Sequence, residues 1–104
     1  MSGIAIVSLT CPDRAGAETI ARTLLEQRLV ACANIIGQCV SIYRWRDEIE
    51  RTDEVVMQLK TVPARVPAVI ERIAALHPYD LPAIEHWEAG ATPGLIAWIA
   101  DAVK

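Results

Sequence analysis

The sequence contains no phenylalanine, and aromatic residues make up only 5% of it, although 53% of its residues are hydrophobic. Its apolar side chains are therefore mostly those of Ala, Val, Ile and Leu. A chain of 104 residues fits one domain, spanning residues 1–104. Such a small domain has much surface for its volume, and large exposed apolar patches are unusual on monomers. The composition therefore predicts that some apolar surface is hidden against other copies of the chain.

A stripe of lysine and arginine is also absent. The net charge is −3, and the basic residues are scattered along the chain. Because a nucleic-acid surface must neutralise many phosphates, a nucleic-acid partner is not predicted. No apolar run approaches the roughly 20 residues that span a bilayer, and the first residues lack the pattern of a secretory signal peptide. We therefore expect no membrane contact and a cytoplasmic location.

The sequence also supports neither disulfide bonds nor a phosphate-binding loop. The three cysteines, Cys11, Cys32 and Cys39, are odd in number and form no C-x-x-C pair. A disulfide scaffold or a structural zinc site is therefore not predicted, and each thiol is expected to be reduced. The glycines are few and isolated, which argues against a Gly-rich nucleotide-binding loop.

Hydrophobic periodicity predicts the element order strand, helix, strand, strand, helix, strand, helix. The first strand covers residues 3–10, and Asp13 is placed to cap the first helix. Residues 29–36 return to strand chemistry and stop at Gly37, and residues 40–46 alternate again as a strand. A charged hairpin connection, 47–52, precedes a third strand at 54–61, and the fourth strand covers 83–89. Pro63 and Thr92-Pro93 open the second and third helices.

This order contains two split βαβ halves. It predicts an α+β fold of the ferredoxin-like sandwich type, in which helices cover one face of an antiparallel sheet, with an extra C-terminal helix. The other face of the sheet still carries apolar residues. That uncovered face again predicts oligomerisation.

Six short segments, spread over the chain in a fixed order, carry a family resemblance. They are Thr10-Cys11-Pro12-Asp13, Leu29-Val30-Ala31-Cys32-Ala33-Asn34-Ile35, Ser41-Ile42-Tyr43-Arg44-Trp45, Leu59-Lys60-Thr61, His77-Pro78-Tyr79 and Ala97-Trp98-Ile99. With these segments the sequence resembles the CutA (CutA1) divalent-cation tolerance proteins from about Ile4 to Val103.

The resemblance implies a compact homotrimer of ferredoxin-like subunits, similar in architecture to the PII signalling proteins. It implies that the long second and third strands reach across to neighbouring subunits. It further implies a role in tolerance to copper and other divalent cations, with copper or another divalent cation as the bound metal. No enzymatic reaction is implied.

Cys11 is the first candidate metal ligand. It lies where a strand ends and a helix begins, and the positive end of a helix dipole lowers the pKa of a nearby thiol. A thiolate is a good ligand for soft metal ions such as copper(I). The alternative is a small residue that packs at a tight turn.

His77 and Glu85 complete the candidate set. Imidazole is a common ligand for copper and zinc, but a histidine at the end of a helix also fits a capping role. The resemblance implies a carboxylate shortly after His-Pro-Tyr and a histidine just before it, where this sequence has Ala83 and Leu76. Glu85 lies two residues after Ala83, on the same side of a strand, and could take over the carboxylate role.

Tyr43 and Trp45 share one face of a strand near the hairpin tip, with Arg44 on the other face. Aromatic residues in such positions often anchor an interface, so these three residues are predicted to contact a neighbouring subunit. Packing within the chain's own sheet is the alternative.

Two other functions are compatible with the sequence. One is a PII-like trimeric sensor or scaffold that binds a small anionic ligand or a protein partner in clefts between subunits. The other is a cysteine-dependent enzyme, which requires a base near Cys11. His77 is the only obvious base, and nothing in the sequence orients it, so the chain is not expected to be an enzyme.

Overall fold

A computed structural model describes residues 3–104. Met1 and Ser2, which the predicted domain includes, lie outside the described residues. The predicted element order is confirmed. The elements are β1 (Ile4–Cys11), α1 (Arg14–Glu26), β2 (Cys32–Trp45), β3 (Glu48–Thr61), a 3₁₀ turn (Pro63–Arg65), α2 (Val66–Leu76), β4 (Ile84–Ala89) and α3 (Pro93–Ala102).

The four strands form one antiparallel sheet in the order β2-β3-β1-β4, which is the arrangement predicted from the split βαβ halves. Alternate residues of each strand point to opposite faces. The helix face carries the apolar alternation of β1 and β3 and packs against α1 and α2. Its buried residues are Ala5, Val7, Leu9, Cys11, Val55, Met57 and Leu59.

α1 begins where the sequence indicates, whereas Pro63 opens the 3₁₀ turn Pro63–Arg65 and α2 begins only at Val66. The Asp13 side chain accepts a hydrogen bond from the Gly16 N–H at 2.7 Å, so it caps α1 as predicted. The apolar stripe of α1 lies buried at helical spacing and contains Ala17, Ile20, Ala21 and Leu24. α2 ends at Leu76, and His77 follows it in extended backbone, because Pro78 disfavours helical backbone in the residue before it.

The third helix corrects one prediction. α3 buries Ile99, and its apolar side packs against Ile4 and Ile6 of β1. These two residues lie on the face opposite to α1 and α2, so helices do not cover one face alone. Within residues 3–104, no helix is long and apolar enough to cross a bilayer.

The β2–β3 hairpin is longer and its turn is tighter than predicted. β3 begins at Glu48, and only Arg46 and Asp47 form the turn, with φ of 50° and 68°. The prediction of a connection over residues 47–52 was therefore wrong. Its charged residues lie in an exposed strand instead, where water satisfies their side chains and the backbone pairs with β2.

Gly37 marks a register shift within β2. The sequence predicts that a strand stops at this glycine. The pairing of β2 with β3 slips between Ile35 and Gly37, and Gly37 has φ of 130°. Such a β-bulge leaves one extra residue on the bulged strand. Side chains of opposite parity therefore share a face before and after it. We call the face opposite α1 and α2 the cleft face; it carries Thr10, Tyr43, Trp45, Thr52 and Glu54.

Candidate functional site

Cys11 is a core residue. Its side chain is fully buried at the end of β1, within the cluster that α1 and α2 cover. Burial raises the pKa of this thiol to about 11, and the negative charges of Asp13 and Glu54 add to the effect. The expectation of a lowered pKa is therefore wrong. The N–H group of Gly16 at the helix N-terminus already binds the Asp13 carboxylate, and that carboxylate repels a thiolate.

His77 uses both of its ring nitrogens inside the protein. The residue is only 7% exposed, and Nε2 lies 2.8 Å from the carbonyl oxygen of Thr10. Since a carbonyl can only accept, Nε2 carries the hydrogen. Nδ1 then has the free lone pair, which accepts the N–H of Tyr79 at 3.2 Å. His77 thus ties the end of α2 to the end of β1, and a metal ion would have to displace one of these bonds.

Glu85 lies on the other side of the sheet from Cys11. It pairs with Ser8 across β1 and β4, and paired residues of antiparallel strands share a face. Cys11 has the parity opposite to that of Ser8, so the two predicted ligands point away from each other. Within residues 3–104 no three His, Cys, Asp or Glu side chains are grouped to hold a metal ion. One chain alone therefore does not fit a metal ion at Cys11, His77 and Glu85.

The residues that the structure does bring together are Tyr79 and Glu54, which the sequence interpretation did not single out. The Tyr79 hydroxyl donates to Glu54 Oε2 at 2.9 Å, and Glu54 is only 7% exposed. Burial raises the pKa of Tyr79 to about 12, helped by the hydrogen bond to Glu54 and by its negative charge. Tyr79 belongs to the His-Pro-Tyr segment, which was the available signal, but its partner lies on a different element.

Tyr79 and Glu54 lie in a cleft of about 670 Å³ on the cleft face of the sheet. The hairpin forms one wall, and the segment between α2 and β4 forms the other. The lining residues are Thr10, Tyr43, Trp45, Thr52, Glu54, Pro78, Tyr79, Asp80, Leu81, Pro82 and Ala83. A concave, largely apolar site with a few polar groups is the usual form of a small-molecule site.

The predicted interface residues lie on the hairpin as expected from their alternation. Tyr43 and Trp45 point to the cleft face and are 42% and 40% exposed, while Arg44 points to the opposite face. The Tyr43 hydroxyl lies 2.9 Å from Thr52 Oγ1, which fixes the ring against β3. Trp45 and Tyr43 lie on their own sheet and still offer surface, and their contact with a neighbouring subunit stays a prediction.

Comparison with known proteins settles the family. The model of the "CutA1 divalent ion tolerance protein" family matches residues 5–102. The chain belongs to this family. Among its curated relatives, mouse "Protein CutA" is 45% identical over 73 residues, which is 70% of this chain. The match spans only 41% of the length of the mouse protein.

Solved structures of CutA proteins have the same fold. The CutA structure from Xylella fastidiosa has a TM-score of 0.95 with 38% identity, and the match covers 99% of this chain and all of that one. The structure of a "Periplasmic divalent cation tolerance protein CutA" from Archaeoglobus fulgidus has a TM-score of 0.94 with 30% identity, covering 97% and 99% of the two chains. The α+β sheet described above is therefore the fold of the family.

Proposed function

We propose that this chain is a cytoplasmic divalent-cation tolerance protein that works as a homotrimer and responds to copper or another divalent cation without catalysing a reaction. The observation that carries the proposal is membership of the divalent ion tolerance family over nearly the whole chain. The relatives are named as tolerance proteins and not as enzymes.

The hairpin supports self-assembly. Beyond the part of the sheet that α1 and α2 cover, it exposes Val40, Ile42 and Ile49 at 53%, 68% and 70%, on the same side as Arg44. Tyr43 and Trp45 add aromatic surface on the cleft face. Contiguous exposed apolar side chains of this kind mark an interaction surface. A second copy of the chain is the partner proposed here, with Tyr43, Arg44 and Trp45 in the contact.

The metal part of the proposal concerns the assembled protein. Cys11, His77 and Glu85 do not converge within one chain, so we expect a copper ion to be held by groups from more than one subunit. Cys11, His77 and Glu85 stay predicted ligands, and substitution tests each of them.

A PII-like sensor or scaffold is the second candidate, and the 670 Å³ cleft is the observation that favours it. Glu54 and Asp80 line this cleft without any basic residue from the described part of the chain. That charge does not suit the small anionic ligand predicted from the sequence. It leaves a protein partner or a cation as the ligand of such a sensor.

Light scattering and copper titration test the proposal together. The mass in solution should equal three subunits, and a stable monomer would contradict the assembly. Calorimetric titration with copper is then compared among the wild type and the variants Cys11→Ser, His77→Ala and Glu85→Gln. As predicted ligands, Cys11, His77 and Glu85 should each lower the affinity for copper when substituted, and equal, weak binding by all four proteins would remove the metal part of the proposal. A selective loss in one variant would assign that residue as a ligand, and a wild type that binds no copper would remove the metal part.

A further inference from the structure

Two cavities meet at the segment between α2 and β4, residues 77–83, which we call the strap. The cleft lies on one side of the strap, and a smaller cavity of about 230 Å³ lies on the other. Pro78 lines both cavities. The strap is therefore the partition between them, and a movement of the strap changes the shape of both.

The smaller cavity leads to Cys11. Its lining residues are Cys11, Pro12, Asp13, Gly16, Thr19, Ile20, Leu76 and Pro78. Asp13, Thr19 and Pro78 are exposed, whereas Cys11 has no exposed area. The cavity thus connects surface residues with a thiol that solvent does not reach. It lies on the side of the sheet that α1 and α2 cover, so a path through it does not cross the cleft face, where the subunit contact is proposed.

Side-chain hydrogen bonds fasten the start of the strap. Nε2 of His77 donates to the carbonyl oxygen of Thr10 at 2.8 Å. The N–H of Tyr79 donates to Nδ1 of His77 at 3.2 Å, and the Tyr79 hydroxyl donates to Glu54 at 2.9 Å. Thr10 directly precedes Cys11 in β1. The strap is therefore tied to the sheet beside the residue whose cavity it borders.

The rest of the strap has little to hold it. β4 begins to pair with β1 only at Ile84, opposite Leu9. Before that point Asp80, Leu81 and Ala83 are exposed, Leu81 at 72%. A segment that buries few apolar side chains and has no strand pairing belongs to the least stable part of a fold. Such a segment opens without unfolding of the whole chain.

We propose that the strap is a lid that opens locally and thereby controls access to the Cys11 thiol. In the closed form, the bonds of His77 and Tyr79 keep Pro78 in the wall of the smaller cavity. When these bonds break, Pro78 moves with the strap, and small thiol-reactive molecules reach Cys11. Neither step involves a metal ion or a neighbouring subunit, so the inference is independent of the proposed function.

Thiol labelling with iodoacetamide tests the lid. The full chain is labelled at urea concentrations too low to unfold it, and mass spectrometry of its peptides separates Cys11 from Cys32 and Cys39. Wild-type Cys11 should react far more slowly than a free cysteine peptide, at a rate that low urea hardly changes. The reason is that local opening exposes little surface, whereas the urea dependence of global unfolding scales with the large surface it exposes.

Tyr79→Phe is the decisive variant, because it removes one bond of the closed lid and keeps the ring. We expect Cys11 to react about tenfold faster, the factor that corresponds to the loss of one such hydrogen bond. Gly37→Ala is the matched control, because it strains β2 at a positive φ and lines neither cavity. It should lower the stability of the whole fold and leave the labelling of Cys11 as in the wild type. Circular dichroism checks that both variants are folded, and the urea dependence of the wild type tests the lid without any variant.

Several results would overturn the inference. Wild-type Cys11 that reacts as fast as the free peptide has no lid. A labelling rate that follows urea as global unfolding does contradicts local opening, as do equal rates in Tyr79→Phe and Gly37→Ala. A rate that falls as the protein concentration rises would mean that subunits dissociate before Cys11 is reached, which also contradicts the lid. A trimer that binds copper and has an unprotected Cys11 leaves the proposed function intact.

Discussion

Tyr79 and Glu54 meet through a 2.9 Å hydrogen bond although they lie 25 residues apart in the sequence, one after α2 and the other on β3. This bond joins the two walls of the cleft. It also places the only described donor to a buried carboxylate on a segment without regular structure. The bond therefore links the stability of the fold to the shape of the cleft.

Replacing Tyr79 with phenylalanine removes that donor and leaves the Glu54 carboxylate buried without it. We expect the free energy of unfolding to fall by about 1–3 kcal/mol, the usual cost of an unsatisfied buried group. Urea denaturation at a fixed protein concentration measures it. Tyr43→Phe is the control, since its hydroxyl bonds to Thr52 at an exposed position and its loss should cost less. Equal losses in the two variants would contradict the special role of Tyr79.

The ring of His77 should be in the Nε2–H tautomer. The carbonyl of Thr10 requires a donor at Nε2, and the N–H of Tyr79 requires an acceptor at Nδ1. Nitrogen-15 NMR of the ring distinguishes the two tautomers directly. His86, which is exposed, provides the reference spectrum in the same sample. A ring with its proton on Nδ1 would show that the tie between α2 and β1 is not made as described.

Alkaline solution should destabilise the wild type through Cys11. The pKa of this thiol rises from 9.0 to about 11 on folding, so between these values the folded chain retains a proton that the unfolded chain has lost. The resulting stability is complete below pH 9 and falls as the pH rises towards 11. Urea denaturation across this range should show a steeper loss for the wild type than for Cys11→Ala. Parallel curves would contradict the raised pKa.

Gly37→Ala tests the backbone of the bulge. A Cβ at this position meets no atom within 4 Å, so a loss of stability must come from the φ of 130°. Residues with a side chain rarely adopt this backbone conformation, so we expect the free energy of unfolding to fall by about 1–3 kcal/mol. Gly90→Ala is the matched control, because its Cβ is equally free and its φ is not positive. Thermal unfolding of the two variants compares them, and equal stability would refute the strain.

The sequence predicted the element order, the cap at Asp13 and the alternation of the hairpin, because each depends on neighbours in the chain. It misplaced the start of β3, since two residues other than glycine with positive φ form the turn at Arg46 and Asp47. It also misjudged the pKa of Cys11. The local rule for a helix N-terminus was outweighed by burial and by the charge of Asp13.

The cleft could not be predicted from local sequence patterns, for a related reason. Tyr79 could be noticed as part of the His-Pro-Tyr segment. Its role depends on its contact with Glu54, and no sequence pattern near either residue indicates that contact. Glu85 illustrates the reverse case. Its side of β4 could be predicted, yet its separation from Cys11 became clear only from the pairing of β4 with β1.

The register shift at Gly37 has a consequence for how this cleft can change. Tyr43 and Trp45 reach the cleft face because β2 contains one residue more than an even pairing with β3 requires. If β2 paired with β3 without the bulge while Ile36 was retained, every later residue of β2 would shift by one position, and Ile42 and Arg44 would turn to the cleft face. The acidic, aromatic cleft would then receive a cation of its own. The charge of the cleft thus depends on the register of the two strands as much as on the identity of their residues.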